Sequence, residues 1–307
     1  MSSYKKSAPL HWTKPIPQSR DRLQSRILTI CVASALLAYT AEALYLLSRY
    51  AHPISSTLRY GSVAVVILFP ILVVLLGAAT FSAACCGAFI CFSLTFWTSH
   101  GRYSLARTAL PALFVLFVLT FLATRTGRSR KRRLHLAEPS HGRTTSQVLA
   151  NLGLAAIVVP LIAPIAQQLG LTHSTVLTPL FILPLAALAE AAADTVSSEI
   201  GQAFAGRPVL ITTLQPATPG TDGAITLLGT LAGIAAATIV AVTGTISLHL
   251  NRTAFAIILI AGITGLFADS FIGATLERRG YLGNDLVNFT STAIATLTAA
   301  VLAKLIL

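Results

Sequence analysis

Nine long apolar runs, parted by short polar stretches, organise the chain. They lie at roughly 27–47, 61–79, 82–98, 107–123, 147–168, 175–198, 224–246, 254–275 and 286–307. A helix that crosses a bilayer needs about 20 apolar residues, and the runs are of that order. Residues 61–98 form one unbroken apolar stretch of 38 residues. That exceeds what one helix needs to cross a hydrocarbon layer of about 30 Å, so it divides near Gly77–Ala79. Pro160, Pro164, Pro179 and Pro184 fall inside runs, where membrane helices tolerate proline as a kink. The pattern predicts an all-α, polytopic transmembrane bundle of about nine spans.

Composition agrees. Of 307 residues, 54% are hydrophobic and 10% charged, against about 25% charged in a soluble domain. A soluble globule, a disordered chain, collagen, a coiled coil and a disulfide scaffold are all excluded. Cys31, Cys85, Cys86 and Cys91 lie within runs without metal-like spacing and read as small apolar residues.

Lys and Arg set the orientation. The tail 1–26 carries Lys5, Lys6, Lys14, Arg20, Arg22 and Arg26, and the loop 124–146 carries Arg125, Arg128, Arg130, Lys131, Arg132, Arg133 and Arg143. With a cytoplasmic N-terminus, 16 of the 22 basic residues fall inside, Arg207, Arg278 and Arg279 among them. The first run, with Ala41-Glu42-Ala43 behind it, resembles a signal peptide. At about 21 residues it exceeds the usual apolar core of about 7–15 and reads as a retained anchor. Net charge is +12, but no aromatic residues interleave with the basic ones. The charge is topogenic and faces anionic lipid rather than nucleic acid.

The acids are placed otherwise. Seven of the ten lie between 190 and 285: Glu190, Asp194, Glu199, Asp222, Asp269, Glu277 and Asp285. Glu190 and Asp194 are one helical turn apart, and Asp269, Gly273 and Glu277 repeat that spacing. Like charges on one face call for a proton or a divalent cation between them. Mg²⁺, which takes carboxylate, water and phosphate oxygens, suits them; polar helix ends account equally for Glu190 and Glu277. Asp194, Glu199 and Asp269 are the expected metal ligands, with Asp194 and Asp269 at the reaction centre.

Thr218-Pro219-Gly220-Thr221-Asp222-Gly223 precedes the seventh run. Two glycines, a hydroxyl and a helix N-terminus make a phosphate cradle at Gly220, Thr221 and Gly223, although an ordinary capping turn explains the same residues. No Gly-Lys-Ser/Thr follows, so it is not a Walker loop. Arg143, Gln147 and Asn151 form a stripe entering the fifth run, and Asn284, Asp285 and Asn288 open the ninth. His173, His249 and Asn251 read as surface residues, and Glu42 as an intramembrane acid of no assigned role.

In order and spacing, five stretches resemble one integral-membrane family. They are Gln147–Asn151; Ala193-Asp194-Thr195 with Ser198–Gly201; Leu210–Thr213 running to Pro219-Gly220-Thr221; Leu227–Thr230; and Ala268-Asp269-Ser270 through Thr275, then Gly283-Asn284-Asp285 and Val287-Asn288-Phe289. The family is that of the plant phytyl-phosphate kinase of tocopherol synthesis and animal transmembrane protein 19. The likeness spans roughly 143–307 and is fainter to dolichol and phytol kinases and CDP-diacylglycerol synthases. It implies CTP-dependent phosphorylation of an isoprenoid monophosphate (phytyl, geranylgeranyl or farnesyl type) to its diphosphate, with Mg²⁺. Arg143, Asn151, Arg207, Thr212, Thr213, Asn284, Asp285 and Asn288 would then hold nucleotide and phosphates beside the glycine loop. The chain departs from the family at Pro208-Val209, Leu214-Gln215 and Ala224, where basic residues and a second glycine are usual; Arg207 is the nearest cation.

The expected organisation is a basic cytoplasmic tail (1–26), a four-helix membrane region (27–123), a basic cytoplasmic loop (124–146) and a motif-bearing catalytic region (147–307). The expected setting is a bacterial plasma membrane, with the active site on the cytoplasmic face. A lipid-alcohol kinase, a cytidylyltransferase and a lipid-phosphate transporter are the alternatives.

Overall fold

The computed structural model describes residues 16–49, 56–99, 104–137, 142–168, 173–204 and 206–307. Lys5, Lys6 and Lys14 of the basic tail lie outside the described residues, as does the side chain of His173.

The helices are α1 (Gln18–Arg49), α2 (Ser56–Leu75), α3 (Phe81–Trp97), α4 (Leu110–Arg125), the short α5 (Arg128–Arg133), α6 (Thr145–Gln168), α7 (His173–Phe204), α8 (Leu227–Ser247), α9 (Arg252–Ile272) and α10 (Asn284–Ile306). The long 61–98 run does break where expected: α2 ends at Leu75, Gly77 takes a positive φ, and Thr80 caps α3 by accepting from the Ala83 amide. α6 and α7 run through their prolines. Among the described residues, six helices are long and apolar enough to cross a membrane: Gln18–Arg49, Thr145–Ile165, Thr178–Phe204, Leu227–Ser247, Arg252–Glu277 and Asn284–Ile306. Three shorter apolar helices, Val63–Leu75, Phe81–Trp97 and Leu110–Arg125, fall on the second to fourth runs.

α7 is the axis of the bundle, 89% of its apolar window being buried, and α4, α6, α8, α9 and α10 pack around it. Small residues set its closest contact. On α8, a Cβ at Gly229 would lie 2.6 Å from the Ser197 carbonyl oxygen, and one at Gly233 would lie 2.7 Å from that of Ala193. In lipid, where helices gain little from leaving the solvent, such close backbone approach is a main source of association. α1 packs on α3 and α6, while α2 rests chiefly on α3. Outward positions carry exposed apolar side chains at helical spacing, such as Ile67 and Ile71 on α2, Ile239 and Ile246 on α8, and Leu297 and Val301 on α10. An apolar exterior of this extent is what lipid covers.

Two parts of the expected organisation change. Residues 18–26, assigned to the tail, form the first turns of α1, because nothing in Gln18–Arg26 breaks a helix and Asp21 favours its N-terminal dipole end. Within the basic loop, Arg128–Arg133 folds as α5, and Lys131 is fully buried there. Glu42 is exposed on α1, Cys91 is buried while Cys31 is exposed, and Asn251 caps α9 by accepting from the Ala254 amide.

Four chain segments meet on one face of the bundle. Arg20 and Gln24 of α1 donate to the carbonyls of Gly280 and Tyr281 between α9 and α10. Gly127 presses on Ala203 at the end of α7, Leu136 on Gly220, and Gly223 on Ala274. That face holds the site.

Candidate functional site

A polar cleft of about 300 Å³ opens on that face, built from the ends of α6, α7, α9 and α10 and roofed by the 206–226 loop. α6 contributes Gln147 and Asn151, which share a face because they are spaced by four, and Arg143 joins them from just ahead of the helix. Arg143 precedes the helix and is fixed by its backbone: its amide donates to Ala78 O at 3.0 Å and its carbonyl accepts from the Thr80 amide at 3.0 Å. Its guanidinium lies 3.3 Å from Thr195 Oγ1. Gln147 has a second task. Its side chain accepts from the Thr144 amide at 2.8 Å while Thr144 Oγ1 accepts from the Gln147 amide, a reciprocal cap on α6. Asn151, one turn deeper and buried, donates to Gln147 O.

α7 and α9 bring the carboxylates together. Asp194 and Asp269 meet at hydrogen-bonding range, and Arg143 faces Asp194. Among the described residues, Asp269 Oδ1 is buried with no hydrogen-bond partner. A buried carboxylate oxygen without a partner is costly, and two ionised carboxylates at that range repel. A cation or a proton between them answers both. Past Ile272 the helix widens into a π-helical turn, Gly273–Glu277, in which the Arg278 amide reaches back to Gly273 O at 3.2 Å. Such turns often mark functional positions; here Gly273 and Glu277 both line the cleft, and Asn284 hydrogen-bonds the Glu277 carboxyl.

The roof is a hairpin of two short antiparallel strands, β1 (Val209–Leu210) and β2 (Ala224–Ile225). Gly220, Thr221 and Gly223 face the cleft. Gly220 and Gly223 have φ of 82° and 70°, and a Cβ at Gly223 would collide with the backbone of Ala274. Glycine is therefore required for close packing on the π-helical turn as well as for the turn itself. Thr218 and Thr221 pair their hydroxyls at 2.9 Å, and Thr226 caps α8 by accepting from the Gly229 amide. Loss of surrounding water raises the Asp222 carboxyl above the usual carboxylate range, and Arg278 pulls it back.

Not every expected residue arrives. Arg207, Thr212 and Thr213 are exposed and lie outside the cleft lining. The two threonines sit in the turn closed by the Leu214 amide on Leu210 O, beyond β1 and outside the residues that line the cleft. Asp285 is buried beside Asn284 but does not line the cleft, since neighbours on a helix point about 100° apart; it sits in the first turn of α10, where a carboxylate favours the dipole. Glu199 reaches the cleft but is ion-paired to Lys131. Lys131 Nζ also donates to Thr124 O at 2.7 Å and Ala123 O at 3.2 Å.

Two buried groups beside the cleft were not among the expected site residues, although Glu190 had been weighed as Asp194's partner on one helix face. Lys131 was hidden among the arginines of Arg128–Arg133. Glu190 lies one turn below Asp194, where Thr292 Oγ1 donates to it at 3.0 Å and the absent side chain of Gly265 makes room for its stem. The signal for Glu190 was the shared face with Asp194; none in the sequence marked Lys131.

A family model described as "Integral membrane protein DUF92" matches residues 64–296. An uncharacterized membrane protein of Methanocaldococcus jannaschii is 35% identical over 187 residues, 59% of this chain and 71% of its own. Protein VTE6, chloroplastic, of Arabidopsis thaliana is 27% identical over 278 residues, 90% and 79% of the two chains. Protein PGR of the same plant is 32% identical over 185 residues, 55% and 64%. No solved structure matches the chain. The family match begins inside α2, so the common ancestry extends well ahead of the motifs at 143–307. The chain belongs to the DUF92 family of integral membrane proteins.

Proposed function

We propose that the chain is a membrane phosphotransferase that moves the terminal phosphoryl group of CTP onto an isoprenoid monophosphate, at a cytoplasmic cleft, to give the diphosphate and CDP. One observation carries the reading: Asp194 and Asp269 converge beside Arg143 with a carboxylate oxygen of Asp269 left buried and unsatisfied. The motif resemblance to the phytyl-phosphate kinase family supplies the donor and acceptor classes.

Asp194 and Asp269 are the residues that would hold Mg²⁺. Among the described residues no group of three His, Cys, Asp or Glu forms a metal cage. That suits Mg²⁺, which is commonly held by one or two carboxylates and completes its shell with water and phosphate oxygens. When bound it supplies charge neutralisation for the transferring phosphoryl group.

The chain's own residues do the rest. Arg143 offers a guanidinium to phosphate oxygens, for which its fork geometry suits it. Asn151 and Asn288 position without adding charge, and Asn284 and Glu277 hold each other. Amides at Gly220 and Gly223 and the hydroxyl of Thr221 close over the nucleotide phosphates. A phosphate acceptor oxygen attacks the γ-phosphorus, the bond to the bridging oxygen breaks, and CDP leaves with that oxygen. The acceptor is already ionised, so no general base is required. Lys131 neutralises Glu199, which limits the negative charge that a triphosphate must approach.

Purified protein in detergent, given CTP, Mg²⁺ and phytyl, geranylgeranyl or farnesyl monophosphate, is expected to form the diphosphate. Absence of turnover with every nucleotide and chain length overturns the proposal. Asp269→Asn is expected to lower kcat by about 100-fold or more, the scale of losing charge stabilisation worth several kcal/mol. An Asp269→Asn variant with full activity removes that residue from the centre.

A further inference from the structure

A second cavity lies between α2, α3, α4 and the start of α6, in the half of the chain that carries no recognised motif. Its floor is made of small residues, Ala83, Ala84 and Gly87 on α3. Apolar walls rise on both sides, Phe69 and Val73 from α2 and Leu113, Leu116 and Phe117 from α4. Phe69 and Phe117 meet edge to face across the two helices at 5.9 Å.

Polarity is confined to one end. Thr120 and Thr124 lead up α4 to Arg125, with Arg128 and Arg143 beside it. Arg125 is held at this mouth: its guanidinium stacks over Phe121 at 4.3 Å and donates to Leu76 O at 2.6 Å. Arg143 lines this groove and also the polar cleft, so the cationic mouth of one is the edge of the other. From Phe117 to Arg125 is eight residues, about 12 Å along the helix.

An apolar channel with three guanidinium groups at one end, opening on a phosphate site, fits an amphiphile with one chain and a strongly anionic head. A phosphomonoester carries about −1.5 to −2 charges at neutral pH and matches three cations better than a zwitterionic headgroup does. We propose that this groove seats the tail of the isoprenoid monophosphate, with its phosphate at Arg125, Arg128 and Arg143. The inference rests on the phosphotransferase reading, which says what reaction happens; the groove says where the acceptor enters and why α2–α4 belong to the enzyme. Arg143 would pass the headgroup from groove to cleft.

The test is a diazirine-bearing farnesyl monophosphate, irradiated with the full chain in detergent without nucleotide, followed by mapping of the labelled peptides. Adducts are expected within 69–87 and 113–124, and farnesyl monophosphate should compete for them. The Arg125→Ala/Arg128→Ala variant should weaken that competition by about 10-fold or more, since a hydrogen bond to a charged group contributes about 1.5–3 kcal/mol. Adducts confined to the outer faces of α9 or α10 overturn the proposal. So does competition by phosphatidylglycerol as effective as that by farnesyl monophosphate, which would make the groove a general lipid seat. Labelling needs no turnover, so the two readings fail separately. Groove adducts with an inactive protein sink the reaction, and turnover with adducts elsewhere sinks the groove.

Discussion

Replacing Lys131 by methionine would strand the Glu199 carboxylate, because the pair is largely enclosed, with 1% and 12% side-chain exposure. Removing one partner of a buried pair costs about 3–5 kcal/mol, since the remaining charge is left without compensation. Lys131→Met is therefore expected to lower the unfolding temperature in detergent strongly, and Lys131→Met/Glu199→Gln to recover much of the loss. A single variant as stable as the parent would show the pair to be open to water. Single residues were also where the sequence was hardest to read. Five of the six residues Arg128–Arg133 are basic, and nothing in the letters says that only Lys131 turns inward. Gln147 lines the cleft, yet its capping bond to Thr144 depends on where α6 begins. Asn284 and Asp285 look alike as neighbours, and the phase of α10 decides that only the first enters the cleft.

At the scale of elements, the α7–α8 seam constrains the site most. A side chain at Gly233 would meet the Ala193 carbonyl oxygen at 2.7 Å and Ser197 Cβ at 2.8 Å. The first of these is backbone, so the helices must part next to Asp194. Gly233→Leu is expected to cost about 1–3 kcal/mol, the usual range for overpacking, and to reduce phosphoryl transfer at the same time. Gly206→Ala, which has open space around it, serves as the control and should alter neither. Thermal unfolding and turnover on both variants check this; an undisturbed Gly233→Leu would mean the seam is slack. Helices were the legible part of the chain. The apolar runs located every long helix, and the break at Gly77–Ala79 appeared where one bilayer-length helix had to stop. The hairpin of 206–226 was not legible. Its glycines, expected at a phosphate loop, line the cleft, but a turn residue's direction depends on a strand pairing of only two residues each side. Arg207, Thr212 and Thr213 were therefore placed with the phosphates and emerge at the surface.

For the whole molecule, the meeting of α1's start, the α4–α6 link, the hairpin and the α9–α10 turn predicts one shared side of the membrane. In a background without native cysteines, Leu134→Cys, Thr212→Cys and Tyr281→Cys should all react with an impermeant thiol reagent from that side. His249→Cys, beyond the far end of α8, should react only from the other. These positions are all exposed. The placement of Lys and Arg predicts that the shared side is the cytoplasmic one. Labelling of His249→Cys together with Thr212→Cys would refute the arrangement.

Arg143 belongs to no helix; the turn between α2 and α3 holds it in place. A chain beginning at Thr144 would retain each carboxylate and asparagine of the cleft yet lose the scaffold for its guanidinium. The residues Leu76–Thr80, which lie outside the lining of the polar cleft, thus inherit a constraint from it. Gly142 inherits it too: any side chain there would run into the backbone of Ala78. Substitutions in that turn should be inherited and lost together with those at the carboxylates, despite lying more than 110 residues away in the chain.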